Sequence, residues 1–247
     1  MSDAIAAVPK LGNCRDPEPM AGRSPASPDH LWKAVARGSR TLAKGELLYR
    51  PGDALRAIYL VLGGAFKTTS TSSDGCERVM GFHLPGDILG LDGWSEFRHR
   101  CEAIALADAR VCQLSIDRFM QTALEQKEVR EWTLRTIGRS MRNDIEHLDM
   151  LERRQPVERI ALFLRAFLLR SRHLVEDDAC VSLPMSREEI ACFLDLAPET
   201  VSRGFTRLQQ MGAIRVDRRR VEVRDAATLQ SIANALPEPW MRRQRVA

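Results

Sequence analysis

Residues 186–212 read SREEIACFLDLAPETVSRGFTRLQQMG and predict two short helices joined by a tight turn. Ser186 followed three residues later by Glu189 is a capping box, in which the hydroxyl and the carboxylate each accept a hydrogen bond from a backbone N–H at a helix start. Residues 195–197 turn the chain, and Pro198 opens the second helix at a position where its missing N–H costs nothing. The stretch therefore predicts a helix-turn-helix.

The second predicted helix has an apolar side and a polar side. Val201, Phe205 and Leu208 are four and three residues apart, so they share one side and pack on the first helix. The residues on the opposite side are Glu199, Ser202, Arg203 and Arg207. This side suits base edges, because Arg bonds guanine bidentately, Glu accepts from cytosine, and Ser bonds a base or a phosphate. An ordinary helical hairpin with a charged, solvated side is the alternative interpretation.

A predicted β-hairpin with a basic tip follows the second helix. Gly212 ends the helix, and residues 213–216 and 221–223 alternate at the strand period around residues 217–220. Between residues 199 and 224 there are seven Arg and three acidic residues, and this surplus of four positive charges equals the formal net charge of the whole chain. A winged helix-turn-helix with such local charge favours double-stranded DNA as the partner, because basic groups position phosphates while a helix reads bases.

The composition is ordinary for a soluble globular protein. The chain has 247 residues, of which 44% are hydrophobic and 28% are charged, and this length predicts one or two domains. No apolar run approaches the roughly eighteen residues of a membrane span, and residues 1–10 lack the basic start and apolar stretch of a signal peptide. We therefore expect a cytoplasmic protein without a membrane partner.

Residues 31–118 show the pattern of many short strands. Short apolar runs occupy residues 47–49, 58–62, 79–82 and 109–114. Turn signals that contain Gly, Pro or Asp separate these runs. The pattern predicts a β barrel or jelly roll, an architecture that is able to hold a small ligand.

The other segments complete an α+β organisation. Residues 1–30 are rich in proline and small or polar residues, which predicts a flexible N-terminal arm, and residues 31–35 are a candidate short helix. Residues 119–153 are the predicted long dimerisation helix, residues 154–229 the winged helix-turn-helix domain and residues 230–247 a C-terminal tail.

The long helix carries an apolar stripe with the a/d spacing of a coiled coil. The stripe consists of Leu134, Ile137, Met141, Asp144, Leu148 and Leu151. Asp144 interrupts it, and in a parallel symmetric dimer the two copies would repel by about 4 kcal/mol at about 4 Å and an effective dielectric constant near 20. We therefore expect a homodimer whose formation Asp144 keeps conditional. In the alternative, a local rotation places Ile145 in the seam and leaves Asp144 solvated.

The order of segments and several motifs resemble the Crp/Fnr superfamily of bacterial transcription regulators, and in particular its Fnr branch. The resemblance covers residues 42–229 and includes the turn at residues 50–53, the strand at residues 59–62 and the stretch GFHLPGDILG at residues 81–90. It implies a cyclic-nucleotide-binding-like β roll that senses a signal, a helix that pairs two subunits, and contacts with RNA polymerase.

The resemblance extends to single residues of the second helix. In the Fnr branch a Glu, a Ser and an Arg at the positions of Glu199, Ser202 and Arg203 read a TTGAT-type half-site, and a symmetric dimer reads an inverted repeat. The resemblance therefore implies base contacts from these three residues. We assign contacts with phosphates to Thr200, Arg207, Arg218, Arg219 and Arg220.

Two stretches depart from those with which cyclic-AMP members of the superfamily hold their ligand. Those members use a Gly-Glu-Leu and an Arg-Ser-Ala stretch, whereas this chain has ILGLD at residues 88–92 and RCE at residues 100–102. The carboxylate of Glu102 would lie near the phosphate of the ligand, and unpaired like charges at short range cost on the order of several kcal/mol. We therefore do not expect cyclic AMP as the signal.

The cysteines do not complete the ligand set of an oxygen-sensing Fnr protein, which holds a [4Fe–4S] cluster through N-terminal cysteines and one in the roll. Cys112 matches the internal ligand, but the N-terminal arm offers only Cys14, unless Cys76 and Cys101 complete the set. We therefore predict neither a [4Fe–4S] cluster nor another cofactor. The six cysteines also lack the spacing of a zinc site or a disulfide framework. Cys14 and Cys112 are candidate thiols of a redox switch.

Two other classes of function fit the pattern less well. A ligand-binding regulatory subunit that acts through protein contacts would not need Arg203, Arg207 and residues 218–220 on one face. An enzyme is not predicted, because the sequence has no specific nucleophile motif, phosphate-cradling loop or paired carboxylates.

Overall fold

The computed structural model describes residues 36–72, 75–171 and 180–233. The chain divides into two compact units, Met1–Arg142 and Asn143–Ala247. The predicted arm at residues 1–30, the candidate helix at residues 31–35 and the tail beyond residue 233 lie outside the described residues.

The first unit contains the predicted jelly roll. Its strands are β1 (Ala36–Leu42), β2 (Leu47–Tyr49), β3 (Ala57–Gly63), β4 (Phe66–Thr71), β5 (Glu77–His83), β6 (Ile88–Leu89), β7 (Glu102–Ala105) and β8 (Ala109–Ser115). They form two four-stranded antiparallel sheets with the orders β1-β8-β3-β6 and β2-β7-β4-β5. Each predicted apolar run lies within one of these strands, so the structure confirms the jelly roll.

The alternation of side chains along β3 and β8 builds two cores, one on each face of the first sheet. Val61 and Val111 point between the two sheets and pack with Phe66. Ile58 and Leu114 belong to a second cluster, on the other face, which is covered by helical residues. The roll therefore has one core inside and another beneath its helices.

Within the residues that the structure describes, six helices and three further strands follow the roll in sequence. The helices are α1 (Ile116–Glu125), α2 (Lys127–Glu152), α3 (Pro156–Ser171), α4 (Arg187–Leu194), α5 (Pro198–Gln210) and α6 (Ala226–Ile232). The strands β9 (Cys180–Ser182), β10 (Ile214–Asp217) and β11 (Arg220–Val223) form a sheet with the order β10-β11-β9. None of the helices within the described ranges is long and apolar enough to cross a membrane.

The helical segment that follows the roll is broken at Gln126, whereas the sequence predicts one continuous helix over residues 119–153. Gln126 has an extended backbone, with φ −117° and ψ 120°. The carbonyls of Ala123 and Leu124 lie in the last turn of α1 and have no partner within that helix. The guanidinium of Arg130 donates to them at 3.1 and 2.9 Å. This side chain of α2 therefore stabilises the end of α1, and the helix predicted to mediate dimerisation begins at Lys127.

Candidate nucleic-acid interface

The helices α4 and α5 form the predicted helix-turn-helix. The N–H of Glu189 donates to Oγ of Ser186 at 3.1 Å, and the N–H of Ser186 donates to Oε2 of Glu189 at 2.7 Å, so the capping box is present. Asp195 ends α4 in the left-handed region with φ 53°, and the N–H of Leu196 donates to the carbonyl of Ala191 at 2.9 Å. Backbone bonds therefore fix the turn.

One side of α5 is buried and the other is exposed. Val201, Phe205 and Leu208 are buried, as their spacing predicts. The polar residues predicted to face outward, Glu199, Ser202, Arg203 and Arg207, are exposed. The guanidinium groups of Arg203 and Arg207 form no hydrogen bond or ion pair within the described chain. Both guanidinium groups therefore keep all their donors for an external partner.

Two hydroxyl residues lie near the beginning of α5. The hydroxyl of Ser202 donates to the carbonyl of Pro198 at 3.0 Å, so its oxygen remains an acceptor for an external donor. Thr200 is half-buried in the first turn of the helix, where backbone N–H groups and the helix dipole favour an anion. This placement suits the phosphate contact assigned to Thr200.

Two contacts that fix α5 were not predicted from the sequence. The guanidinium carbon of Arg187 lies 3.3 Å from the centroid of the Phe205 ring, and burial lowers the pKa of Arg187. Gly204 faces Ile160 of α3, and a Cβ at residue 204 would overlap with the Cδ1 atom of that side chain. Gly204 lies on the same side of α5 as the apolar residues Val201 and Leu208, and a glycine at such a position indicates that another helix packs closely there.

The predicted wing is present, and its basic residues differ in their surroundings. Arg218 and Arg219 form the tip between β10 and β11, where Arg218 has a left-handed backbone with φ 52°. Nη1 of Arg219 donates to the carbonyl of Pro184 at 3.2 Å. Arg220 lies within β11, and its Nε donates to Sγ of Cys180 at 2.7 Å in the strand β9. The tip therefore consists of two Arg, while Arg220 also contacts a third strand that the sequence analysis missed.

The carboxylate of Asp92, in the roll, accepts hydrogen bonds from two backbone N–H groups just before β7. Oδ2 of Asp92 accepts from the N–H groups of Arg100 and Cys101 at 2.8 and 3.0 Å. Its Oδ1 lies 3.5 Å from Nδ1 of His99 and from the hydroxyl of Tyr49. Burial raises the pKa of Asp92, but these hydrogen bonds outweigh burial and leave the pKa below its ordinary value. The carboxylate is therefore held as an anion inside the roll.

The stretch at residues 100–102 is engaged within the protein. Oε1 of Glu102 accepts from the hydroxyl of Thr69 at 2.8 Å, and Nη2 of Arg100 lies 2.6 Å from Oε1 of Glu96. A nucleotide phosphate at this stretch would meet two carboxylates, those of Asp92 and Glu102. These contacts support the prediction that cyclic AMP is not the signal.

The cysteines of the described chain are not grouped as metal ligands. Within residues 36–72, 75–171 and 180–233, no three His, Cys, Asp or Glu side chains are arranged to hold a metal ion. Cys112 is buried within β8, and burial raises the pKa of Cys101 to about 11. These thiols do not fit a four-thiolate cluster. Cys14 lies outside the described residues, so a redox role for Cys14 and Cys112 stays a prediction.

The helix α2 presents an apolar stripe that is exposed in the single chain. Its exposed apolar residues are Leu134, Ile137, Met141, Ile145 and Leu148. Leu151 is half-buried, and Asp144 is exposed beside Ile145. Neighbouring groups nevertheless desolvate its carboxyl in part, which raises the pKa of Asp144, and the nearby His147 opposes this effect. Both alternatives for the seam, with Asp144 or with Ile145, therefore remain predictions.

Two family models match the chain. One describes a cyclic nucleotide-binding domain and matches residues 39–126, which contain most of the roll and α1. The other describes a Crp-like helix-turn-helix domain and matches residues 158–232.

Several proteins are similar over most of their length. The transcriptional activator protein Anr of Pseudomonas protegens is 38% identical over 210 residues, which are 85% of this chain and 86% of Anr. The transcriptional activator protein FnrA of Stutzerimonas stutzeri is 36% identical, over 83% of this chain and 84% of FnrA. The solved structure of FixK2 from Bradyrhizobium japonicum aligns with a TM-score of 0.72 and 28% identity, over 82% of this chain and 99% of FixK2.

The chain combines a β roll of the cyclic nucleotide-binding type with a helix-turn-helix that has an exposed polar side and a basic wing. This combination defines a DNA-binding transcription regulator. The relatives have the names of regulators, and the protein is not an enzyme. The chain belongs to the Crp/Fnr superfamily and is an Fnr-like regulator.

Proposed function

We propose that this protein is a homodimeric transcription activator that binds an inverted repeat of TTGAT-type half-sites in double-stranded DNA. The observation that carries the proposal is the exposed guanidinium of Arg203, which has no partner within the described chain. Glu199 and Ser202 lie on the same side of α5, so three groups able to bond base edges face outward together. Arg207 and the wing tip supply contacts with phosphates on either side of them.

Activation rests on the relatives. Anr and FnrA are named transcriptional activators, and we extend that role to this chain. An activator of this kind acts through RNA polymerase in the cytoplasm, which makes the polymerase the third proposed partner after DNA and a second copy of the chain. The signal would enter through the roll, whose residues differ from those of cyclic-AMP members.

Dimerisation through α2 is supported by its exposed side chains. Leu134 is 71% exposed and Ile145 is 63% exposed, which is costly for large apolar residues that recur along one helix. Pairing of two α2 helices would bury this stripe and bring two reading helices to one site. A dimer with two-fold symmetry reads half-sites in inverted orientation.

The experiment compares Arg203→Ala with Arg207→Ala on matched and mismatched TTGAT-type duplexes. These two Arg are exposed on the same helix side, so each serves as the control for the other. Arg203→Ala should cost about 1–3 kcal/mol on the matched duplex and reduce discrimination at one base pair, whereas Arg207→Ala should weaken all duplexes about equally. Equal losses on every duplex for Arg203→Ala would remove the base-reading assignment.

A further inference from the structure

Two side chains, those of His147 and Arg159, connect the turn of the helix-turn-helix with the helices that precede it. These two residues and the residues that they contact belong to the unit Asn143–Ala247. Nε2 of His147, in α2, is 2.7 Å from the carbonyl oxygen of Phe193, and therefore carries the proton that it donates. Its ring stacks on the Phe193 ring, with centroids 3.8 Å apart and 9° between the planes. Nη1 of Arg159, in α3, donates to the carbonyls of Leu194 and Asp195 at 3.0 and 3.4 Å.

These three carbonyls lie at the C-terminal end of α4. The last four carbonyls of a helix lack a partner within it, and donors or cations placed there are favourable. Because α4 has only eight residues and α5 begins at Pro198, the same carbonyls lie directly before the reading helix. Groups that hold them also hold the first turn of α5, which carries Glu199.

Further contacts make this connection rigid. The ring of Phe163, in α3, meets the ring of Phe193 edge-on at 5.9 Å, so Phe193 is packed by α2 and α3 together. Nε of Arg159 donates to the carbonyl of Arg153 at 2.8 Å, in the link between α2 and α3. One guanidinium therefore bonds both the end of α2 and the turn before α5.

We propose that His147 and Arg159 are positioning residues for DNA binding, which hold each reading helix to the C-terminal end of its own α2. This inference rests on the proposed function, because it requires that α2 pairs two subunits. A dimer reads half-sites about one helical turn of DNA apart, on the order of 34 Å. Pairing of α2 sets this separation only if α5 does not move relative to α2. His147 and Arg159 supply that constraint without contacting DNA.

The test measures how affinity depends on the separation of the half-sites. Duplexes carry two TTGAT-type half-sites at the separation that the wild-type protein prefers, or with one or two base pairs inserted or removed. His147→Phe keeps an aromatic ring against Phe193 but loses the hydrogen bond to its carbonyl. Arg159→Gln removes the guanidinium that bonds the carbonyls of Leu194 and Asp195. For each variant, Kd on the preferred duplex should rise about tenfold, as for the loss of one or two buried hydrogen bonds. Kd on the altered duplexes should change less than about twofold, so the preference for one separation shrinks.

Controls separate positioning from loss of fold or of dimerisation. Arg165→Gln makes the same charge change on α3, at a residue that has no hydrogen bond to the turn. This variant should keep the wild-type preference for one half-site separation. Sedimentation should give unchanged dimerisation, and far-ultraviolet circular dichroism an unchanged helix content, for His147→Phe and Arg159→Gln.

Two results would overturn the proposal. If His147→Phe and Arg159→Gln keep the wild-type dependence on half-site separation, or lose affinity equally on all duplexes, the two residues do not position the reading helices. If the wild-type protein itself does not distinguish TTGAT-type duplexes from unrelated DNA, the proposed function fails, and the inference that rests on it fails with it.

Discussion

Gly204 of α5 lies so close to Ile160 of α3 that a Cβ at residue 204 would overlap with Cδ1 of the isoleucine. Ile160 is fully buried at this point. The absence of one methyl group on the reading helix therefore permits the two helices to pack at this distance. This contact gives the first prediction.

We expect Gly204→Ala to destabilise the DNA-binding unit by up to about 2 kcal/mol, because the overlap costs about 1–3 kcal/mol and a gain in helix propensity of about 1 kcal/mol offsets part of this cost. Removing Cδ1 as well, in Gly204→Ala with Ile160→Val, should recover most of the loss. Urea unfolding measures both. The control is Gly138→Ala in α2, where a Cβ would meet nothing within 4 Å and stability should rise. A rise of the same size for Gly204→Ala would contradict the close packing.

The wing tip should contribute affinity that does not depend on DNA sequence. We expect Arg219→Ala to weaken binding to all duplexes about equally and to reduce the slope of log K against log salt by about 0.9, as for one lost phosphate contact. Titrations at several salt concentrations measure this. Arg224→Ala is the matched control, because Arg224 is paired with Glu222 at 3.3 Å, and its effect should be smaller. A change of base preference in Arg219→Ala would argue against a phosphate role.

The carboxylate of Asp144 should hold dimerisation back. In the paired helices its two copies would repel by at most about 4 kcal/mol, so Asp144→Ala should give tighter dimers and tighter DNA binding without any added signal. Sedimentation and DNA titration measure the two effects. Asp149→Ala is the control on the same helix, since Asp149 pairs with Arg153 at 2.8 Å. If Asp144→Ala changes neither dimerisation nor DNA binding, Ile145 is the better assignment for the seam.

The burial of His147 against Phe193 should make the stability of the protein depend on pH. Burial lowers the pKa of His147 below 6.5, although the Phe193 carbonyl and the charge of Asp144 act in the opposite direction. Between the lowered pKa and 6.5 the unfolded chain binds more protons, so stability rises with pH through this window and is full above it. Unfolding of the wild-type protein should therefore become easier as the pH falls below 6.5. His147→Phe should remove this dependence, and a persistent slope would assign it to another group.

DNA binding should survive exposure to air. The described thiols do not form a four-thiolate set, Cys112 is buried, and the raised pKa of Cys101, about 11, keeps that thiol protonated at neutral pH. Thiol-specific reagents should react faster with the exposed Cys76 than with either of these. Anaerobic purification with iron and sulfide analysis is the direct measurement. Stoichiometric iron and sulfide, lost in air together with DNA binding, would show that a cluster forms with Cys14 or other residues.

The helix-turn-helix could be predicted because its signals are local: a capping box at Ser186, a helix-opening Pro198 and the apolar spacing between them. The contacts that orient α5 join residues far apart in sequence. Arg159 bonds the carbonyl of Leu194, 35 residues away, and no periodicity marks such a pair. The break at Gln126 was missed for a related reason, because it is stabilised by a side chain from the next helix rather than by a helix-breaking residue.

The carboxylate of Asp92 bonds backbone N–H groups of the roll permanently, whereas a ligand taken up from solution would do so only when it is bound. A bound metabolite stabilises its host by an amount that grows with the free concentration of that metabolite. Asp92 is part of the chain, so the N–H groups of Arg100 and Cys101 have an acceptor whatever the composition of the surrounding solution. The contribution of these two hydrogen bonds to the stability of the roll therefore does not depend on the concentration of any ligand.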